Sequence, residues 1–392
     1  MKSSNSPSGR GSPFVKNLKS TLLLALALIA FTASLRAEFL YVSSYDNGLL
    51  SFSINPNTGA LIKLPGSPLV KPANISEITL DRTGKLLYAT TNSAIYGYRI
   101  AGNGQLIPLP GSPYKVTGGG LAVDPYNRFL YATANDSVCV YRIEPNGSLR
   151  AVAGSPFSSP GARSLAVDPF GRFIYVRGTL ISFADGYYSA KGVVSVFNVV
   201  GANGTLRPVA GSPFATGHEY TVQVTAEKTG RFIYVACDLE ASILTYRVSP
   251  NGGLTQVLPT VFSGGPWCEN LAYNPVNNHL YITNDRLAEF SLNPVTGIPE
   301  NPTPPPFRPG LYNMENTAVG VCVSPNGQFV YIGNSNQEVD PTSMSLRGWK
   351  VGPTGRLLTE VPGSPYYPLG FTLDEALVGP SLGWPSTMVV AP

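Results

Sequence analysis

Histidine and cysteine are scarce, with two and four in a chain of 392 residues. This leaves little material for a metal centre. Cys139, Cys237, Cys268 and Cys322 match no metal-ligand spacing. There is no His-Glu-x-x-His phrase and no run of Asp and Asn of the calcium-loop kind. No metal or other cofactor is therefore expected. Charge is also sparse, at 13%. Five basic residues and no acid fall in the first 37 residues, so removing that stretch takes the formal charge from +4 to −1. A chain so balanced carries no electrostatic footprint for nucleic acid, and none is expected as a partner.

The first 37 residues stand apart. Lys2, Arg10, Lys16 and Lys19 precede an apolar run, Leu22 to Phe31, that ends in the small residues Ala33, Ser34 and Ala37. This is the pattern of a secretory signal. The expected organisation is a signal peptide at 1–37 and one domain at 38–392, exported to the periplasm or secreted, with no membrane span after cleavage. An oxidising compartment would permit Cys237 to pair with Cys268, while Cys139 and Cys322 sit in apolar strand phrases as buried thiols.

A tyrosine recurs seven times in one phrase: EFLYV at Tyr41, KLLYA at Tyr88, RFLYA at Tyr131, RFIYV at Tyr175 and Tyr234, NHLYI at Tyr281 and QFVYI at Tyr331. A period of about 40–50 residues marks copies of one supersecondary unit. Each copy reads as four short strands: an apolar strand closed by a turn (SLAVDPFG, ending at Gly171), the tyrosine strand, an aromatic strand (VYRI at Tyr141), and a strand ending in Gly-Ser-Pro, as at 154–156. Alternating apolar runs bounded by Gly, Pro, Asn and Asp are strands. Four per copy, without helical periodicity, predicts an all-β propeller of seven blades, each with four antiparallel strands. Six first strands lie inside the chain. The seventh is the C-terminal STMVVAP, Ser386 to Pro392, which should join the N-terminal tyrosine strand and close the ring.

The turn between the first and second strands keeps its length, with six steps from Pro125 to Tyr131 and from Pro169 to Tyr175. Length varies in the other connections. Insertions stand at Gly178–Gly192, Asn334–Leu346, Asn301–Thr317 and Tyr366–Pro385. These project to one face, where loops on a rigid scaffold carry function. His218, in TGHEY, enters blade 4 on that face, and Asp238 ends the second strand of the same blade. Arg163 enters blade 3. The set suits general-base hydrolysis, with His218 or Asp238 as base and Arg163 as oxyanion partner. Glu219 beside His218, Trp267 and Glu269 entering blade 5, Glu315 entering blade 6 and Glu77 entering blade 1 are the substrate-binding candidates. A hydrogen-bonded loop histidine among solvated acids explains the same residues without catalysis.

The phrase LAVDP-x-GRF-[IL]-Y with its GSPF endings resembles the lactonase family of seven-bladed propellers, related to 6-phosphogluconolactonase and carboxymuconate cyclases, over residues 38–392. The resemblance implies a hydrolase of lactones, which are cyclic carboxylic esters, with a small-molecule lactone as partner. That family carries Gly-Pro-Arg-His entering a central blade and Asn-Glu ending the next strand. Here PGARSLAV places Arg163 at the arginine and Ser164 at the histidine, and Asp238 stands for the glutamate. The alternative is a non-catalytic propeller of the cell envelope that binds a ligand, glycan or protein. A monomer is expected in either case.

Overall fold

The structure is a computed structural model. It describes residues 37–44, 48–69, 71–72, 74–116, 119–134, 136–184, 187–237, 242–262, 268, 270–283, 287–300, 317–335, 345–366 and 388–392. All of the expected signal peptide except Ala37 lies outside these residues.

Seven antiparallel sheets form the fold, each with a four-strand path that runs in chain order in six of them. Blades 1 to 6 begin with the first strands Ile75–Leu80, Leu121–Val123, Ala162–Val167, Thr221–Ala226, Asn270–Asn274 and Thr317–Val323. Blade 7 is composite. Met388–Ala391 pairs with Glu38–Ser44, aligning Val389 with Tyr41, and Gly48–Ile54 and Leu61–Lys63 complete the sheet. The seven first strands contact one another in a closed cycle and so line the centre of the ring. This closure leaves no central strand edge open to a foreign strand. The only helical element among the described residues is one 3-10 turn at Gly201–Asn203. No helix among them is long and apolar enough to cross a membrane.

The repeated phrases have distinct mechanical roles. A carboxylate ends each first strand in blades 1 to 4, and it collects the amide groups of the following turn. The Asp81 carboxylate accepts from the Lys85 and Leu86 amides at 2.7 and 2.8 Å, and Glu227 accepts from Thr229 and Arg231 at 2.7 and 2.9 Å. Those bonds hold the turn to one length. In Gly-Ser-Pro, the serine hydroxyl accepts an amide of the third strand beside it: Gly97 to Ser112 at 3.0 Å, Val140 to Ser155 at 2.9 Å and Val196 to Ser212 at 2.8 Å. The fourth strand is short, and these hydroxyls satisfy donors that it leaves uncovered.

The core is distributed among the blade interfaces. Seven clusters of buried apolar residues each join two neighbouring blades, and the one holding Leu40, Val390, Phe329 and Tyr331 spans the chain termini.

The insertion at Gly178–Gly192 is not a loop. It continues the second and third strands of blade 3 as Phe173–Ala184 and Tyr187–Val200, paired throughout to Ala184 opposite Tyr187. Thr179, Ile181 and Phe183 alternate along it with Leu180, Ser182 and Ala184, and β-branched and aromatic residues suit a strand. The other three insertions lie wholly or largely outside the described residues. All four cysteines are free, so no Cys237–Cys268 bond is formed.

Candidate functional site

Local irregularity of the first strands shapes the channel mouth. In blades 1, 3, 4 and 6 the pairing with the second strand slips by one residue, at Ser76, Arg163, Val222 and Val319. A bulge leaves one residue unpaired and re-aims its neighbours. The slip in blade 1 falls just before Glu77, and in blade 3 it falls on Arg163 itself. Blade 2, which lies between them, presents Gly119 and Gly120 at the matching positions. A Cβ at Gly120 would stand 2.8 Å from the Ser164 Cα, and one at Gly119 would stand 3.0 Å from the Arg163 carbonyl oxygen. The blades approach too closely for any side chain there. The wall between Glu77 and Arg163 therefore carries no side chain at these two positions.

A residue that the sequence reading passed over completes this cluster. Two residues after the tyrosine, blades 1 and 2 carry Thr90 and Thr133. Their hydroxyls donate across the blade interface to the Gly119 and Arg163 carbonyls, at 2.8 and 2.6 Å. Blade 3 has Arg177 in that place. Its Nη1 donates to the Thr221 carbonyl of blade 4 at 2.7 Å, while its Nε is buried with no partner among the described residues. The signal was present in the repeat: the same position holds Ser43, Thr90, Thr133, Ala236, Thr283 and Gly333 in the other blades. An arginine among small residues is the outlier.

Charge couples three groups here. Burial raises the Glu77 carboxyl to about 8, and the Arg177 charge partly opposes that rise. Burial and the Arg163 charge lower Arg177 to about 10, and Glu77 acts in the opposite sense. Glu77 is enclosed by protein yet keeps part of its surface accessible, as expected of a group on the wall of a narrow channel. Its carboxyl makes no hydrogen bond and no close ion pair among the described residues. The Arg163 side chain is exposed. A carboxyl whose proton affinity is raised by burial, within reach of the Arg177 charge, can exchange a proton with a ligand.

The half-buried His218 lies on the loop entering blade 4. Its carbonyl accepts the Gly192 amide of the blade 3 hairpin at 2.7 Å, and its own amide donates to the Thr216 hydroxyl at 3.3 Å. Thr221, which anchors Arg177, is three residues on. Glu219 is exposed on the same loop. Asp238, Trp267, Glu269 and Glu315 lie outside the described residues. So does Gly379-Pro380-Ser381-Leu382-Gly383, which has the Gly-x-Ser-x-Gly spelling and was also missed in the sequence. The second histidine, His279, is buried, and its Nδ1 faces the Asn277 carbonyl at 3.1 Å. Among the described residues no three His, Cys, Asp or Glu gather as a metal site would require.

No protein-family model matches the sequence, and no curated protein matches it. Solved structures do match the fold. A candidate 6-phosphogluconolactonase from Bacteroides uniformis is 16% identical with a TM-score of 0.67, covering 91% of this chain and 99% of that one. A second, from Bacteroides fragilis, is 16% identical with a TM-score of 0.62, covering 92% and 99%. The periplasmic gluconolactonase of Pseudomonas aeruginosa is 19% identical with a TM-score of 0.62, covering 84% and 98%. At this identity the likeness establishes the fold. The propeller expected from the lactonase-family resemblance is thus the propeller found.

Proposed function

We propose that this protein hydrolyses a lactone or related carboxylic ester at the channel mouth, with Glu77, Arg163 and Arg177 as the working groups. One observation carries the reading: a carboxyl without a hydrogen-bond partner among the described residues, titrating at about 8, stands within the electrostatic reach of Arg177, which in turn feels Arg163. Once ionised, Glu77 takes a proton from water as the water oxygen attacks the ester carbonyl carbon. The guanidinium groups offset the charge that develops on the carbonyl oxygen. The ring C–O bond then breaks, the proton passes from Glu77 to the leaving alkoxide, and a hydroxy acid is released. His218 or Asp238 is the alternative base. Glu219, Trp267, Glu269 and Glu315 would contact the rest of the substrate. Likeness in fold to a periplasmic gluconolactonase supports this substrate class, and also export to the periplasm or beyond the cell.

The test is a panel of lactones assayed with purified protein and its Glu77→Gln, Arg177→Thr and His218→Ala variants. Turnover lost in Glu77→Gln and kept in His218→Ala makes Glu77 the base, and the reverse makes it His218. Ser164, at the place of the family's histidine, favours a second reading, in which the same cluster binds an anionic ligand without turning it over. Absence of turnover on every lactone, with saturable binding of the hydroxy acids, would select that reading.

A further inference from the structure

The seven blade interfaces repeat one packing device on the face opposite the channel mouth. Two residues before each tyrosine, a side chain presses against a glycine in the turn between the third and fourth strands of the next blade. Phe39 meets Gly104, Phe129 meets Gly204, Phe173 meets Gly252, Phe232 meets Gly297, His279 meets Gly355 and Phe329 meets Gly59. All six are rings and all are buried. The seventh position, between blades 1 and 2, is Leu86. It meets Gly147 and is only half-buried.

Three of these rings, Phe129, Phe173 and Phe232, have guanidinium groups over them. Arg128 and Arg142 place their guanidinium carbons 5.4 and 5.1 Å from the centroid of Phe129, and Arg231 and Arg247 stand 5.4 and 5.0 Å from that of Phe232. The equivalents in blade 1 are Lys85 and Arg99, the latter directly across the strand pair from Leu86. Both are exposed, and neither side chain has a hydrogen bond, ion pair or ring contact among the described residues. Where the ring is missing there is a cavity of about 680 Å³, lined by Lys85, Leu86, Arg99, Leu109 and Ile143 together with Asp81 and Glu144. The two acids are already engaged. Asp81 holds its turn amides, and Glu144 accepts from Arg150 at 2.7 Å. With Glu144 neutralised by Arg150, two cations face the single carboxylate of Asp81, so the lining is net positive.

We propose that this groove is a second ligand site, taking a small aromatic carboxylate. Its ring replaces the absent phenylalanine over Leu86 and Leu109, and its carboxylate pairs with Arg99 and Lys85. The ring gains the apolar contact that six other interfaces use and the cation–π attraction seen at the Phe129, Phe173 and Phe232 interfaces. Arginine offers the carboxylate a planar pair of donors. The site is independent of the channel cluster, which opens on the other face.

Benzoate titrated into the purified protein, followed by ligand-observed NMR, tests this. Saturable binding is expected with Kd on the order of 0.1–1 mM, in line with a ligand of that size. Leu86→Phe restores the ring and should weaken benzoate by at least about tenfold while the fold is retained, since every other blade but one uses phenylalanine. Arg99→Gln and Lys85→Gln change exposed side chains. They should each weaken benzoate by roughly five- to tenfold, and they decide the matter if Leu86→Phe does not fold. Arg177→Thr should leave binding unchanged. The proposal is overturned if benzoate does not saturate below about 10 mM, if benzylamine binds as well, or if affinity survives Arg99→Gln. A loss in Arg177→Thr alone would move the site to the channel and equally overturn it.

Discussion

The hydroxyl of Tyr331 in blade 6 donates to the carbonyl of Gly59 in blade 7 at 2.8 Å, across 272 residues of sequence. The same latch recurs around the ring. Tyr41 reaches Gly104, Tyr88 reaches Gly147, Tyr234 reaches Gly297 and Tyr281 reaches Gly355, each in the next blade, at 2.6–2.9 Å. Tyr131 and Tyr175 make no such bond, and their hydroxyls are buried without a partner among the described residues.

Two classes of tyrosine should follow from this. Tyr331→Phe leaves the Gly59 carbonyl unpaired in the core and should cost about 1–2 kcal/mol. Tyr175→Phe removes a hydroxyl that already lacks a partner, and should be neutral within about 0.5 kcal/mol or stabilising. Urea unfolding of the two variants beside the parent reads the difference. Equal costs would refute the latch.

Removing Met388–Ala391 should open the ring. The strand Glu38–Ser44 would lose its inner partner, and the cluster holding Val390 and Met388 would lose one side. An exposed edge of alternating apolar residues recruits other strands. The expected outcome is loss of a single cooperative thermal transition and concentration-dependent association, seen by calorimetry and light scattering.

Glu77 sets a pH signature. Its folded pKa, about 8, lies above its ordinary value of 4.5. Between these values the folded state holds a proton that the unfolded state releases, so this group weakens folding as pH rises through that window. The urea midpoint of the parent should fall between about pH 5 and about pH 8 by more than that of Glu77→Gln. If Glu77 is the base, the rate with a lactone should rise over the same range, with an apparent pKa near 8. A rate that follows a pKa near 6.5 would point to a histidine instead.

Arg177→Thr separates charge from scaffold. Threonine at this position already bridges the next blade through Thr90 and Thr133. The variant should stay within about 1 kcal/mol of the parent in stability. With one cation gone, it should lose about 10²–10³-fold in kcat/KM. Loss of stability without loss of turnover would make Arg177 a structural residue only.

Gly120→Ala tests the bare wall. Its Cβ would stand 2.8 Å from a backbone atom of blade 3, so the blade must shift to accept it. A cost of about 1–3 kcal/mol is expected. Turnover should fall more steeply than stability, because the displaced strand carries Arg163.

Much of this was legible in the chain. The tyrosine period, the Gly-Ser-Pro endings and the STMVVAP phrase gave seven blades and their closure, because repeated strands with turn residues at fixed offsets have few other ways to bury their faces. Glu77 and Arg163 were legible as entry residues. Arg177 was not read, although its place among small residues marked it. The hairpin of blade 3 is not legible from the repeat, since its strand pattern begins only where the repeat breaks.

Local pattern therefore determined the strands, their number and the closing partner: alternation and turn chemistry are encoded residue by residue. Tertiary structure decided which side chains share a space. Glu77, Arg163 and Arg177 lie up to 100 residues apart in the chain. They are coupled because the ring sets blades 1 and 3 on either side of two glycines, and because burial moves their proton affinities. Likewise, Leu86 is an ordinary strand leucine in the sequence. Only the ring contacts at the six other interfaces make it a vacancy, since a missing volume is defined by its neighbours.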